Sequence, residues 1–461
     1  MKKGTALLIS FLLLILIAYY VMGVIVERTL NNNLSTLPNT SILSVHLDKY
    51  QRGLFSSRAI LAIKMHIPEQ TTEDGRLKVD PAVDFDLEFP LIINHGPVIF
   101  TDHGIRFGMG EATTQLQTHY NVLINYLNKT IFTYTLPSFA FKINVRSEDF
   151  QFEWLGARDL FSISANMKKL DSHFILYGLN GSGNNVVFKL GKVIHNIQLT
   201  HAQDGLWLGH TDLSIPSATI STGDKNNFDL KSFNFMLGSD LNEGALNFKS
   251  EISLKKLLLD DKVYGPSTLK WGIRNLDPVA MASINQLEWK MLENNPDSNL
   301  LTLKLLAELP KLLAKGAELE LSEMILNFPE GKITGSFKIF LPKNENAPGK
   351  LLQEAHGEGQ FKASIAVVKQ LTTFFIEEEL QKQAAKTQVL SSAQQSGATP
   401  ATTNAPMPAA TNIHDEAQKQ AKQNIQTLVN KGLLKIDGTD YVLNFKLENG
   451  QFIINGQPFN P

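Results

Sequence analysis

The segment "AVDFDLEFPLII", Ala82 to Ile93, alternates strictly between polar and apolar residues through Val83, Phe85, Leu87 and Phe89. Successive side chains point to opposite faces of a β-strand, so this pattern predicts a strand with one buried and one solvated face. Similar segments are "SILSVHLDKY" (41–50), "HFILYGL" (173–179), "NVVFKLG" (185–191), "LWLGHTDLSI" (206–215), "FNFMLGSDL" (233–241) and "ALNFKSEISL" (245–254). Clusters of Gly, Asn and Asp separate them, which favours antiparallel strands joined by short turns. We therefore expect a meander over residues 41–259, either curved or packed in layers.

One stretch in this region, Glu111 to Leu127, fits either a short helix or a strand leading into a helical turn, because its periodicity favours neither. Helices are predicted further on. Asp277 is a natural N-cap, and Pro278 fits the first helical position. A second helix is expected from Leu300 to Lys315, with Asp297 or Ser298 as the cap and Gly316 as the end, unless Pro310 breaks it earlier.

The C-terminal third combines hairpins with two long helices. A β-hairpin is predicted around Pro329-Glu330-Gly331, and a final one turns at Asn449-Gly450. The first long helix spans Ile365 to Leu390, and the second begins at Asn412. The candidates for the apolar side of the first are Val368, Leu371, Phe375 and Leu380, and those for the second are Ala417, Ala421, Ile425, Leu428 and Val429. Between them, Ser391 to Thr411 is rich in Ala, Thr, Pro and Ser and carries no charge, which predicts a disordered loop at the tip of a helical hairpin.

Together these patterns predict an α+β fold that is predominantly antiparallel β, in curved or layered sheets, with several amphipathic helices and one transmembrane helix before them. We divide the chain into an N-terminal anchor (1–27), a β-rich region (28–275) and a mixed α/β region (276–461) that contains the disordered loop 391–411.

Composition excludes several classes of function. The chain has 461 residues, with 43 basic and 45 acidic side chains and a formal charge of -2. Because a sequence-independent nucleic-acid binder needs a concentrated basic face, we expect no nucleic-acid partner. The chain has no cysteine, which rules out disulfides, zinc–thiolate sites, iron–sulfur clusters and thiol catalysis. We expect no cofactor and no metal.

The N-terminus carries the strongest local signal. Lys2 and Lys3 precede an uncharged apolar run from Gly4 to Val26, which is followed by Glu27-Arg28. A helix of this length spans the hydrocarbon layer of a bilayer, and the two lysines predict a cytoplasmic N-terminus. A cleaved signal peptide is the alternative, but its apolar region is usually shorter and ends in small residues, whereas bulky residues end this run. We expect an uncleaved anchor in residues 4–26.

Three further stretches suggest a family. They are "YQRGLFSSRAIL" (Tyr50–Leu61), "INHGPV" (Ile93–Val98) and the ending "LENGQFIINGQP" (Leu447–Pro458). With the anchor before them, and with "GPSTLKWGIRNLDP" (265–278) and "LLAKGAELELSEMILNFPEGKITG" (312–335), they resemble the YdgA-like family. Its members are bacterial inner-membrane-anchored envelope proteins of undefined function. The resemblance implies an address, with the bulk of the chain in the periplasm, and an architecture, but no reaction or ligand.

The motif residues themselves are interpreted as structural. They are Tyr50, Arg52, Gly53, Phe55, Ser56, His95, Gly96, Pro97, Asn455 and Gly456. We expect Gly53 to permit a bulge or a positive φ, Leu54 and Phe55 to be buried, and Ser56 and Ser57 to bond nearby backbone groups. Gly96-Pro97 is a turn pair, and His95 is expected to bond the backbone across it.

Two histidine–acid groups are the remaining candidates for chemistry: His95 with Asp102 and His103, and His201 with Asp204, His210 and Asp212. His210 and Asp212 would share one face of a strand, which suits a ligand pair as well as a solvated face. Asp102 lies far along a strand-like run from His95, so those ligands would meet only in a tight fold-back. We assign no catalytic and no metal residues.

Two functions stay open. The first is a non-enzymatic, membrane-anchored periplasmic protein that binds a lipid or acts as a scaffold for an envelope partner. The alternative is an anchored periplasmic hydrolase with an unrecognised His/Asp site. A homodimer through the amphipathic helices 365–390 and 412–431 is compatible with either.

Overall fold

A computed structural model describes residues 2–35, 43–67, 83–101, 104–114, 119–145, 148–202, 205–223, 225–294, 298–343, 353–394, 410–448 and 450–459. Within them the protein is mostly antiparallel sheet, with five helices, of which the first is long and apolar. The chain forms two compact units. The first contains residues 1–248 and 276–313, and the second contains residues 249–275 and 314–461.

The first unit begins with a helix and eight strands. They are α1 (Lys2–Ser35), β1 (Leu43–Arg52), β2 (Ser56–Ile67), β3 (Val83–His95), β4 (Ile99–Thr101), β5 (Gly104–Arg106), β6 (Gly110–Thr114), β7 (His119–Ile124) and β8 (Thr130–Leu136). The pairing order is β1–β2–β3–β6–β7–β8, and every pair is antiparallel. β4 and β5 form a separate small hairpin. The stretch 111–127, left open by its periodicity, is therefore a strand pair in its described part.

Nine more strands complete the sheet of the first unit. They are β9 (Phe139–Val145), β10 (Glu148–Trp154), β11 (Ala157–Ile163), β12 (Lys169–Leu176), β13 (Leu179–Gly183), β14 (Val186–Leu190), β15 (Val193–His201), β16 (Trp207–Thr222) and β17 (Lys225–Asn242). The order β8–β11–β12–β15–β16–β17 continues the sheet. Beside it runs β9–β10–β13–β14–β16.

The two rows together form six long strands. Four of them are interrupted at the same level, and β16 and β17 run through both rows. β8 and β9 are halves of one strand, as are β11 and β10, β12 and β13, and β15 and β14. Gly156 (φ 102°) and Gly178 (φ 143°) stand at two of the interruptions. β16 carries Pro216 at this level, opposite Ser232 (φ 52°) in β17. We call this line the crease.

The cross-strand pairs give the sheet one apolar and one mostly polar face between β8 and β17. Side chains of paired residues share a face. The apolar face contains Phe132, Tyr134, Leu136, Phe161, Ile163, Leu170, Phe174, Leu176, Ile197, Leu199, Leu213, Ile215, Phe233, Phe235 and Leu237, and among them the polar residues Asp159, Ser172, His195 and Thr211. The opposite face contains Thr133, Arg158, Asp171, His173, Asn196, Gln198, His210, Asp212 and Asn234, together with the apolar residues Leu160, Ile175, Ile194 and Met236.

Two helices also belong to the first unit: α2 (Pro278–Asn294) and α3 (Ser298–Leu313). The prediction of Asp277 as N-cap is confirmed, since its carboxylate accepts a bond of 2.8 Å from the N–H of Ala280. Of the two ends left open for the second helix, an early break at Pro310 is wrong, because α3 continues through it to Leu313. Gly316 follows with φ 85°.

The second unit contains a smaller sheet and two helices. The strand β18 (Ala245–Leu259) begins in the first unit and continues into the second. The further elements of the second unit are β19 (Lys262–Tyr264), β20 (Ser267–Leu276), β21 (Glu318–Phe328), β22 (Gly331–Phe340), β23 (His356–Ser364), α4 (Ile365–Gln394), α5 (Ala410–Asn430), β24 (Lys435–Asp437), β25 (Asp440–Glu448), β26 (Gln451–Ile454) and β27 (Gln457–Phe459). The order β20–β21–β22–β23–β25–β26–β27 is antiparallel throughout. The predicted hairpin at Pro329-Glu330 is β21–β22.

The helical hairpin is confirmed, with two corrections. α4 and α5 contact each other, and Ala417 and Ala421 of α5 are fully buried. The predicted loop 391–411 is wrong at both ends, because residues 391–394 continue α4 and α5 begins at Ala410; residues 395–409 lie outside the described residues. Phe375, predicted on the apolar side of α4, is mostly exposed, whereas Val367 and Thr373 of the same helix are buried.

Candidate functional site: the socket of the N-terminal helix

The second half of α1 lies on the apolar face of the sheet. Tyr19, Gly23, Val26, Leu30 and Asn33 follow the 3.6-residue period, so they form one stripe of the helix. Val26 and Leu30 belong to a buried cluster with the sheet residues Ala59, Ile93, Met109, Ala112 and Ile124. Earlier residues of the helix, including Leu13, Leu14 and Ile17, are exposed. The second half of α1 therefore packs against the sheet, whereas the described side chains of its first half are mostly exposed.

Three glycines let the helix approach the sheet closely. A Cβ on Gly23 would lie 2.6 Å from the His95 ring, and one on Gly96 would lie 2.1 Å from the ring of Tyr19. A Cβ on Gly110 would lie 2.5 Å from Val26. Each contact is far shorter than van der Waals distance, so the interface tolerates no side chain at these positions. We call Ser57, His95, Gly96, Met109 and Gly110 the helix socket.

His95 is the polar centre of the socket. Its side chain is about as buried as those of the hydrophobic core, and its Nδ1 lies 3.2 Å from the backbone carbonyl of Tyr19. Its Nε2 lies 3.0 Å from the Ser57 hydroxyl. A carbonyl only accepts, so Nδ1 carries the proton and donates, and Ser57 donates to Nε2. The pKa of His95 is lowered, mainly because burial disfavours the charged ring. The hydrogen bond to the Tyr19 carbonyl raises the pKa in part, and the positive charge of Arg52 lowers it further.

Around this centre, further contacts fix the helix. The hydroxyl of Tyr19 donates to the carbonyl of Val98 at 2.8 Å, and its ring meets the edge of Phe55 at 5.1 Å. Arg52 forms an ion pair with Glu27, and its guanidinium lies 5.9 Å from the centre of the Tyr20 ring. Further along α1, Thr29 donates to Asn128 at 2.6 Å, and Asn33 to Thr130 at 3.0 Å.

Tyr50 packs beside the buried cluster. Burial raises its pKa, the neighbouring Ser57 hydroxyl lowers it, and Glu27 and Arg52 add smaller opposite effects. Of the family-motif residues from Tyr50 to Pro97, Arg52, Phe55, His95 and Gly96 contact α1, and Tyr50 packs beside the cluster that the helix joins. Asn455 and Gly456 belong to the second unit. Asn455 (φ 51°) and Gly456 (φ 86°) form the turn between β26 and β27, where the Asn455 amide donates to the carbonyls of Leu433 and Val442.

Three expectations about these motifs are wrong. Leu54 and Phe55 are not buried but 41% and 53% exposed in the turn between β1 and β2, although the Phe55 ring packs against that of Tyr19. Gly53 has no positive φ, and the bulge lies before it, at Lys49 (φ 50°); a side chain on Gly53 would instead collide with the carbonyl of Ser56 at 2.3 Å. His95 bonds the backbone of α1, not the backbone across its own turn.

The histidine–acid groups do not assemble among the described residues. His210 lies 3.9 Å from Asp212 on the polar face, and both are exposed. His201 pairs with Trp207 on the opposite face and packs against its ring. Asp102, His103 and Asp204 lie outside the described residues. No group of three or more His, Asp or Glu side chains in the described ranges is arranged to hold a metal ion.

The Ser57–His95 pair has the spacing of a nucleophile and a base, but both side chains are 1% exposed beneath α1. A docked helix leaves no room for a substrate there. Sequence reasoning missed Tyr19, Gly23, Ser57 and Gly110 as partners of the motifs. Gly23, which stands among bulky residues near the end of the apolar run, was the available signal, since a glycine inside a helix lowers its stability relative to alanine.

The fold and the socket define a class: a large antiparallel sheet with an apolar N-terminal helix docked on one face. The chain belongs to a family of bacterial proteins of unknown function, DUF945, whose family model matches residues 1–461. The narrower YdgA-like assignment stays a prediction. No curated protein and no solved structure matches the chain.

Proposed function

We propose that this protein is a membrane-anchored, non-enzymatic envelope protein whose apolar sheet face binds the acyl chains of lipids. α1 crosses the inner membrane with its lysine-flanked end in the cytoplasm, and the two units lie in the periplasm. The observation that carries the lipid-binding part is the apolar face that starts at the helix socket and continues over six strands to β17.

The anchor rests on the length and composition of α1. It is the one helix of the described residues that is long and apolar enough to cross a bilayer. A cleaved signal peptide passes the same test, but its removal would take Val26 and Leu30 out of the buried cluster. Ile93, Ala112 and Ile124 would then be exposed to water, which opposes cleavage on the C-terminal side of Val26.

The lipid-binding part rests on the contrast between the faces. On the apolar face, residues such as Phe174, Ile197 and Phe235 are half-buried, neither sealed in a core nor fully solvated. Soluble proteins rarely leave a contiguous apolar surface of many strands without a ligand or a partner. Near the crease, Phe141 and Phe152 extend the apolar face as a stacked pair whose ring centroids lie 5.3 Å apart. A protein partner or a second copy of the chain is the competing occupant.

Photo-crosslinking tests the proposal without altering the face. The full chain is reconstituted with phospholipids that carry a diazirine in the acyl chain, irradiated and digested. We expect labelled peptides from β12, β15 and β17 as well as from α1. If lipid labels only α1 and the loops beside it, the face does not bind lipid. Crosslinks between protein chains on this face would favour the competing occupant.

Adjacent residues of β12 supply a matched pair of variants. Phe174 lies on the apolar face and His173 on the polar face of the same strand. Phe174→Gln should reduce lipid labelling of the face, whereas His173→Gln should leave it unchanged. Thermal unfolding of both variants checks that the loss is not caused by a lost fold.

A further inference from the structure

Several exposed apolar residues of the first unit lie in segments that adjoin Tyr19 of α1, although others, such as Leu160, Leu241 and Leu306, lie elsewhere. Leu54, Phe55, Phe100, Ile105 and Phe107 lie in two segments, the β1–β2 turn and the β4–β5 hairpin with the residue after it. Phe100 and Phe107 are 69% and 68% exposed. Both segments contact the same residue of α1: Phe55 packs against the ring of Tyr19, and Val98, at the base of the hairpin, accepts the bond from its hydroxyl. We call these five residues the collar.

The length of α1 gives the collar a partner. From Lys3 to Tyr19 an α-helix rises about 24 Å, whereas a hydrocarbon layer is about 30 Å thick. With Lys3 at one surface, the layer reaches to about Gly23. Tyr19 and Gly23 are already docked on the sheet. The helix therefore cannot span the layer unless the chain segments around Tyr19 enter it.

We propose that the collar sits within the outer part of the hydrocarbon layer that α1 crosses, so that the first unit is seated on the membrane. The inference rests on the proposed anchor and goes beyond it, because a helix alone would leave the body tethered at a distance. Aromatic and aliphatic side chains are suited to this depth. Arg106, exposed between Ile105 and Phe107, is placed to reach lipid phosphate groups.

The absence of cysteine makes the test clean, because an introduced cysteine is the single labelling site. The full chain carrying Phe100→Cys or Phe107→Cys is labelled with an environment-sensitive fluorophore. It is then reconstituted into vesicles of phosphatidylethanolamine and phosphatidylglycerol, with or without a lipid nitroxide near the top of the acyl chain. Leu160→Cys is the matched control, an exposed apolar residue of β11 that lies on the polar face.

We expect the nitroxide to quench both collar sites while leaving Leu160→Cys unquenched, and a water-soluble quencher to give the reverse order. Vesicle flotation separates the two proposals. If the protein does not float with the vesicles, the anchor and the seated collar are both wrong. If it floats and the collar sites behave like Leu160→Cys, the anchor stands and the collar proposal is overturned.

Discussion

Gly23 lies at a close contact between α1 and the sheet, and the ring of His95 occupies the space that a side chain on Gly23 would need. We predict that Gly23→Leu lowers the free energy of unfolding by about 1–3 kcal/mol, the usual cost of overpacking a well-packed interior. Chemical unfolding of the full chain in detergent measures it. Val21→Leu adds bulk at an exposed position of the same helix and should be neutral. Equal stability of the two variants would mean that α1 does not dock as described.

His95 predicts a pH dependence of the docked helix. Its pKa is lowered in the folded protein, so the neutral ring is the form that the socket binds. The stabilisation is complete above the unfolded pKa, about 6.5, and is lost as the pH falls through the lower folded value. Arg52 faces the ring from β1, and Ser57 and Tyr50 complete its surroundings.

Stability measured between about pH 8 and pH 5 should therefore fall more steeply for the native chain than for His95→Gln. A glutamine amide donates to the Tyr19 carbonyl and accepts from Ser57 without titrating. Parallel pH profiles for the two proteins would exclude His95 as the cause.

The motif stretches stand out in the sequence, but the structural roles of several of their residues were not predicted. Leu54 and Phe55 were expected inside because apolar residues beside a strand usually bury. They lie instead in an exposed turn, where Phe55 packs against Tyr19, a residue that no local pattern connects with it. His95 was expected to bond its own turn, because its actual partner, the carbonyl of Tyr19, is distant in the sequence.

At the level of elements, the crease is the feature that periodicity did not predict. Apolar positions step by three residues across it on all six strands: 136 to 139, 154 to 157, 176 to 179, 190 to 193, 215 to 218 and 230 to 233. A regular strand steps by two. The strands themselves were predictable because alternation is local, whereas their common interruption becomes visible only when the register aligns them.

Gly178 tests the crease. It has φ 143°, and a Cβ there would lie 2.7 Å from the carbonyl oxygen of Leu190. We predict that Gly178→Ala destabilises the first unit by about 1–3 kcal/mol more than Gly223→Ala. Gly223 also has a positive φ, of 60°, which alanine adopts at moderate cost, and no atom lies near its missing Cβ, so the difference combines the steeper backbone cost at Gly178 with the collision. Urea unfolding of both variants gives the difference. Equal losses would show that the neighbouring strand yields without cost.

For the whole molecule, the predicted boundary near residue 275 differs from the two contact units. Residues 249–275 group with the C-terminal region, and residues 276–313 group with the N-terminal region. Sequence patterns locate helices and strands, but they do not show to which unit a segment belongs. That membership depends on contacts between residues far apart in the chain. For the same reason, the packing of α1 in the core was not predicted. The sequence of an apolar helix is similar whether the helix only anchors a protein or also forms part of its core.

Two truncations separate these roles of α1. Removal of residues 1–18 leaves Tyr19, Val26 and Leu30 to fill the socket. Removal of residues 1–35 empties it, and burial of two such aliphatic side chains contributes about 3–6 kcal/mol. We predict cooperative unfolding of the shorter deletion near the stability of the full chain, and a loss of this size in the longer one. Hydrogen exchange should then accelerate in β3, β6 and β7, the strands that line the buried cluster with Ile93, Ala112 and Ile124. If both truncated proteins unfold alike, α1 adds nothing to the core, and a cleaved signal peptide becomes the better interpretation of the N-terminus.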